Sequence, residues 1–296
     1  MKKNIQEYRQ GLVYTAIAFT AWGVLPFYWK ALKAVPAFEI LGHRILWSFV
    51  LSVVILAIRK RTIIRSLLSD ARNRASLITT SLLIGLNWLT YVYAVNSDRI
   101  VEASMGYYIN PLFSVFLGIV FLKERLNILQ VFAFILACVG VIYLTADYGK
   151  FPWISVLLAS AFGLYGLLKK TSTVEALPSL MIETMLLSPI ALGIIIYQMM
   201  TGRGALFNVS LGTDFLLIFA GVVTTLPLYW FAQGAKRIPL ASVGFLQYIT
   251  PTLMLVIGVF IYHETFSSAH FVSFGFVWLG LSLYSITLVR GQQSSA

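Results

Sequence analysis

Three ionisable side chains stand inside apolar stretches of the chain: His43 and Arg44 within FEILGHRILWSFV, and Glu183 within LPSLMIETMLLSP. A charge at the centre of a membrane helix costs about 2.5–3.5 kcal/mol on insertion scales, so each of the three needs a purpose. A carboxylate at Glu183 could carry a coupling proton, or be a satisfied buried group that fixes its helix. His43 and Arg44 could receive an anionic substrate group or answer Glu39, four or five residues earlier on the same helix. Arg44 could also snorkel to the outer headgroups. A direct His43–Glu183 pair is not expected. Their helices enter from opposite faces, and at about 1.5 Å per residue each group lies roughly 7–10 Å from its own face of a ~30 Å core. The three are therefore read as coupling or gating residues, each guarding one vestibule or bonding within its own half.

A second set is aromatic and amide: Trp22; Asn87, Trp88 and Tyr91; Tyr107, Tyr108 and Asn110; Tyr165; Tyr229 and Gln233; Gln247 and Tyr248. Spacings of four place Asn87 with Tyr91, and Tyr229 with Gln233, on common helix faces. Four prolines, Pro26, Pro111, Pro227 and Pro251, stand inside apolar runs close to these residues. Each removes a backbone hydrogen bond and displaces the carbonyl four residues earlier, here those of Trp22, Tyr107, Val223 and Gln247. A bare carbonyl is costly in lipid, so these kinks are expected to face protein or a wet cavity. Such a chamber suits a small aromatic or amphipathic organic molecule better than a metal ion or a polyphosphate. The blander alternative is that the aromatics are interface anchors and the prolines packing kinks.

Other chemistries leave no trace. No GxxxxGK[ST], GxSxG, HExxH or EF-hand pattern occurs, so ATP-driven pumping and the common hydrolytic sites are unsupported. His43, His263 and His270 are scattered and Cys138 is the only cysteine, which argues against a metal centre or a disulfide framework. No catalytic residue, metal or cofactor is assigned.

The elements that must position these residues follow from composition. Of 296 residues 59% are hydrophobic and 11% charged, against about 25% charged in a soluble domain. Apolar runs long enough to span a bilayer are expected at 11–30, 37–58, 75–95, 101–122, 127–146, 151–168, 178–200, 213–233, 240–262 and 268–289. The first is read as an uncleaved span rather than a signal peptide. The net charge of +11 lies in the short breaks, which points to membrane orientation rather than to nucleic acid. With the N-terminus cytoplasmic, 16 Lys and Arg fall inside, among them Lys169, Lys170, Lys236 and Arg237, and 5 outside. The basic stretch 59–74 is either a topogenic loop or a short interfacial helix, and Glu102 and Asp98 are expected to be solvated or capping.

The spans also repeat. Pro111 and Pro251, Gly118 and Gly258, Glu124 and Glu264, and Gly140 and Gly280 coincide at an offset of 140 residues. Each half then holds five helices, 11–146 and 151–289, between a short N-terminus, 1–10, and a tail, 290–296, both expected to be cytoplasmic. Five is odd, so the two copies are inverted in the membrane. The expected fold is an all-α, ten-span polytopic membrane protein of two inverted five-helix repeats, in the cytoplasmic membrane with the lipid bilayer as its surroundings.

FTAWGVLPFYWKAL, PAFEILGHRILWS, EASMGYYINPLFSVFLGIVFLKERL and GFLQYITPTLM resemble the RarD proteins of the EamA type, in the drug/metabolite transporter superfamily, over roughly residues 10–290. The resemblance implies a central cavity lined by helices 1, 3, 4, 6, 8 and 9, with 5 and 10 peripheral, and export of small metabolites or drugs. Inverted repeats support two states of similar energy around one central site, which points to a secondary transporter. Proton-coupled uptake is the second reading; a lipid-modifying enzyme would need a polar catalytic pair that is not found, and a receptor leaves the repeat without a purpose.

Overall fold

The apolar runs become helices because, in hydrocarbon, a helix satisfies its backbone donors and acceptors within its own segment. The computed structural model describes residues 2–58, 70–263 and 267–293. The helices are α1 (Lys2–Ala31), α2 (Ala37–Ile58), α3 (Ala71–Asn96), α4 (Ile100–Leu122), α5 (Ile128–Tyr148), α6 (Trp153–Thr171), α7 (Ala176–Met200) and α8 (Leu211–Arg237). Then α9 (Leu240–Gln247), α10 (Ile249–Val256) and a π-helical turn (Ile257–Ile261) form one broken span, and α11 (Ser268–Gln293) follows. Among the described residues ten stretches are long and apolar enough to cross a membrane, as expected.

Local chemistry sets the ends. Asn127 and Gln130 form a reciprocal capping box at the start of α5, each side chain accepting the other's backbone N–H at 2.9 Å. Ser210 caps α8 by accepting Thr213 N–H at 3.1 Å, and Asp70 caps α3. The last turns are longer than expected: α6 continues to Thr171 and α8 to Arg237, so Lys169, Lys170, Lys236 and Arg237 are helical, not loop residues. Cations there meet open carbonyls. Lys170 Nζ donates to Ile238 O at 2.6 Å, and Lys236 Nζ donates to Val174 O. Residues 59–69 of the basic stretch, Glu264 and residues 294–296 lie outside the described residues, and residues 71–74 of that stretch belong to α3.

The prolines behave unequally. Helices α1, α4 and α8 carry on through Pro26, Pro111 and Pro227. Near Pro251 the helix parts between α9 and α10, where Tyr248 N–H turns to Phe245 O at 3.3 Å. Pro251 offers no N–H to the Gln247 carbonyl, which loosens this turn.

The 140-residue offset reappears in contacts. A Cβ on Gly140 would meet Ser273 O at 2.7 Å, and one on Gly280 would meet Ala133 O at 2.7 Å, so α5 and α11 cross through equivalent positions. Tyr248 OH donates to the carbonyl of its counterpart Tyr108 at 3.3 Å, where α4 meets α9. Lys123 and His263, also equivalent, both take a left-handed turn at φ 54°. The faces of α5 and α11 away from these contacts expose Phe132, Ile135, Ile142 and Leu279, a surface suited to lipid.

Candidate functional site

Arg44 stands between helices. Its guanidinium carbon lies 4.7 Å from the Trp88 ring centroid of α3 and 5.4 Å from that of Trp29 on α1. Its Nε donates to Thr224 Oγ1 of α8 at 3.3 Å. The phenols of Tyr28, Tyr91 and Tyr107 are close enough to interact with its charge. Arg44, Trp29, Tyr91 and Tyr107 all keep some accessible surface although α1, α3, α4 and α8 surround them. The neighbourhood of these residues is here termed the chamber. Cation–π contact explains the pairing of guanidinium with indole faces. Asn110 lies one turn from Tyr107; it is buried, and its Oδ1 has no hydrogen-bond partner among the described residues.

Toward the terminal end of the bundle the chamber gives way to packed aromatics. Trp22 lies 5.5 Å from Phe162 and 5.8 Å from Phe231, and Phe162 lies 5.0 Å from Phe231. Phe19 and Tyr165 complete this plug, with ring centroids 6.0 and 6.1 Å from Phe231. Beyond it, a cleft of about 500 Å³ is lined by Glu7, Gln10, Glu175, Gln233, Lys236 and Arg237. Along α8 the order is Thr224 in the chamber, Phe231 in the plug and Gln233 in the cleft. Along α1 it is Trp29, then Trp22 and Phe19.

Beside the plug lies a buried ion pair. Lys169 Nζ of α6 is 2.5 Å from Glu183 Oε1 of α7, with both side chains 1% exposed. Glu183 also accepts from Thr80 at 2.6 Å, Ser179 at 2.9 Å and Tyr165 OH at 3.2 Å, so it joins α3, α6 and α7. Lys169 donates further to Ser179 Oγ at 2.6 Å. Lys169 is thus a buried partner and not the loop charge expected from its neighbour Lys170. Its position four residues after Tyr165, on the same helix face, was the available signal.

His43 is buried outside the chamber: its Nδ1 accepts from Trp47 Nε1 at 3.2 Å, and its Nε2 lies 3.8 Å from Glu39 Oε1. Glu39 in turn accepts Ala205 N–H and Leu206 N–H, at 2.8 and 3.2 Å, and fastens the α7–α8 loop. Glu124 does the same at the terminal end, accepting Leu240 N–H at 2.7 Å and Ala241 N–H at 2.8 Å at the start of α9. Glu102, expected to be solvated or capping, is 1% exposed and pairs with Arg99 at 2.6 Å and Tyr148 OH at 2.9 Å. Asp98 is exposed.

Of the expected aromatic and amide set, Trp88, Tyr91 and Tyr107 come together around Arg44. Tyr108 and Tyr248 do not: Tyr108 packs edge-on against Phe274 at 5.2 Å, and Tyr248 is buried beside Ala137 and Val277. Tyr165 spends its hydroxyl on Glu183. Asn87 donates to Leu158 O at 3.0 Å, and Gln247 accepts from Ser114 at 3.3 Å. Gln233 accepts from Arg237, and Tyr229 packs among core residues. Arg44 adds α2 to the helices implied to line the cavity. Tyr28, Trp29 and Thr224 were missed because nothing local separates them from interface anchors and helix filler.

A family model described as "EamA-like transporter family" matches residues 9–146. The uncharacterized transporter YojE of Bacillus subtilis is 46% identical over 98% of both chains. Protein RarD of Escherichia coli is 37% identical over 99% of both. A crystal structure, 15% identical, superposes with a TM-score of 0.72 over 94% of this chain and 98% of its own, a likeness of fold.

Proposed function

Because the chain belongs to the EamA-like transporter family, among its RarD-type members, we infer that it is a secondary transporter binding a small aromatic or amphipathic organic molecule beside Arg44. It is a multi-pass membrane protein, of the inner membrane in bacteria. The order of chamber, plug and cleft along both α1 and α8 carries this reading. A site closed by packed aromatics on one side and bounded by a cleft beyond them suits alternating access. In this reading two inverted five-helix units, 11–146 and 151–289, exchange the closed side around the site. Their equivalent contacts at Gly140, Gly280 and Tyr248 support it. Outward movement follows from the family resemblance, and uptake is the alternative.

The four partners of Glu183 support a fastening role over proton carriage. Purified protein in liposomes, given a panel of aromatic and amphipathic solutes with and without a pH gradient, is expected to move at least one of them. Failure to move any overturns the proposal. Any pH dependence should survive in Glu183→Gln; its loss would return Glu183 to coupling.

A further inference from the structure

The geometry points to an organic carboxylate as the substrate class, its carboxylate received by the free edge of the Arg44 guanidinium and its apolar body by the aromatic walls. This rests on the transport reading and deepens it. Charge pairing sets Arg44 apart from five other cations. Lys169 faces Glu183, Arg99 faces Glu102, Lys170 and Lys236 reach carbonyls, and Arg237 is bonded to Gln233. Arg44 alone of these six has no carboxylate, carbonyl or amide oxygen as partner among the described residues. Its single side-chain hydrogen bond among the described residues, from Nε to Thr224, is 3.3 Å long.

The two terminal nitrogens are left without a protein acceptor among the described residues, although they form the edge suited to a two-point bond with a planar carboxylate. Indole faces at 4.7 and 5.4 Å hold the guanidinium plane without supplying an acceptor. Phenolic hydroxyls of Tyr91 and Tyr107, near the same charge, add donors for an anion. Phosphate esters are the poorer fit, since this one cation would have to answer nearly two charges.

The test uses the full-length protein in detergent, with benzoate, phenylacetate and indole-3-acetate set against benzamide, phenylacetamide and indole-3-acetamide. Binding is read by calorimetry and by the shift in melting temperature. The acids should bind roughly tenfold or more tightly than their amides. Arg44→Gln should erase that preference, and Arg44→Lys should keep it but weaken acid binding by about tenfold, having the charge without the fork. Amides binding as well as acids, no acid binding at millimolar concentration, or an intact preference in Arg44→Gln would each overturn the proposal. The acid–amide comparison in the wild type decides even where Arg44→Gln does not fold. Proteoliposomes separate the two readings. Movement of amides but not acids overturns the carboxylate reading and leaves transport standing, whereas selective acid binding with no movement of any solute does the reverse.

Discussion

Lys169 and Arg44 are both cations inside a membrane bundle, yet only Lys169 has a carboxylate to face. Removing one partner of a buried pair strands the other, at a cost of about 3–5 kcal/mol, whereas replacing both with apolar groups is often close to neutral. Lys169→Met should therefore destabilise strongly, and Lys169→Met with Glu183→Met should regain most of the loss. Thermal unfolding in detergent measures both, and a double variant no better than the single one would remove the pair from the account. The sequence showed Glu183 as an intramembrane acid, because one charge in an apolar run stands out. It hid Lys169, because a Lys-Lys pair at a helix end reads the same whether it faces water or a buried acid. Arg44 stood out equally well, but its neighbours come from four other helices, and no spacing along α2 names them.

Where helices cross, the contact decides what a glycine is worth. Gly280 and Gly140 lie against backbone carbonyls, which cannot swing away, while a Cβ on Gly275 of the same helix α11 would meet nothing within 4 Å. Gly280→Ala should cost about 1–3 kcal/mol through overpacking. Gly275→Ala should be neutral or gain up to about 1 kcal/mol from helix propensity. Thermal unfolding of the two variants side by side checks this, and equal stability would mean that α5 and α11 can part at no cost. At this scale the existence of every span was legible, since hydrophobic length is a property of one segment. Ends and breaks were less so. Capping at Asn127 and Ser210 matched its residue types, but the extra turn of α6 carries Lys169 to Glu183, a partner on another helix. Four prolines look alike in sequence, yet the helix parts only near Pro251 and runs on through the other three.

The basic residues still favour one orientation after Lys169 is withdrawn from the loop charges, with termini expected on the cytoplasmic side. In a Cys138→Ser background, cysteines at Lys33 or Arg203, both exposed, should react with a membrane-impermeant maleimide in intact cells. Cysteines at Arg125 or Thr173, also exposed, should react only after permeabilisation. The opposite pattern would invert the molecule. Span number, membrane residence and the 140-residue echo were determined by sequence alone, because hydropathy and a fixed offset need no knowledge of neighbours. Tertiary structure decided which polar groups meet. It drew Trp88, Tyr91 and Tyr107 around Arg44, sent their expected companions Tyr108 and Tyr248 into helix packing, and matched Glu183 with Lys169. The reason is geometric: a helix fixes which residues share a face, but only the packing of several helices fixes what that face looks at.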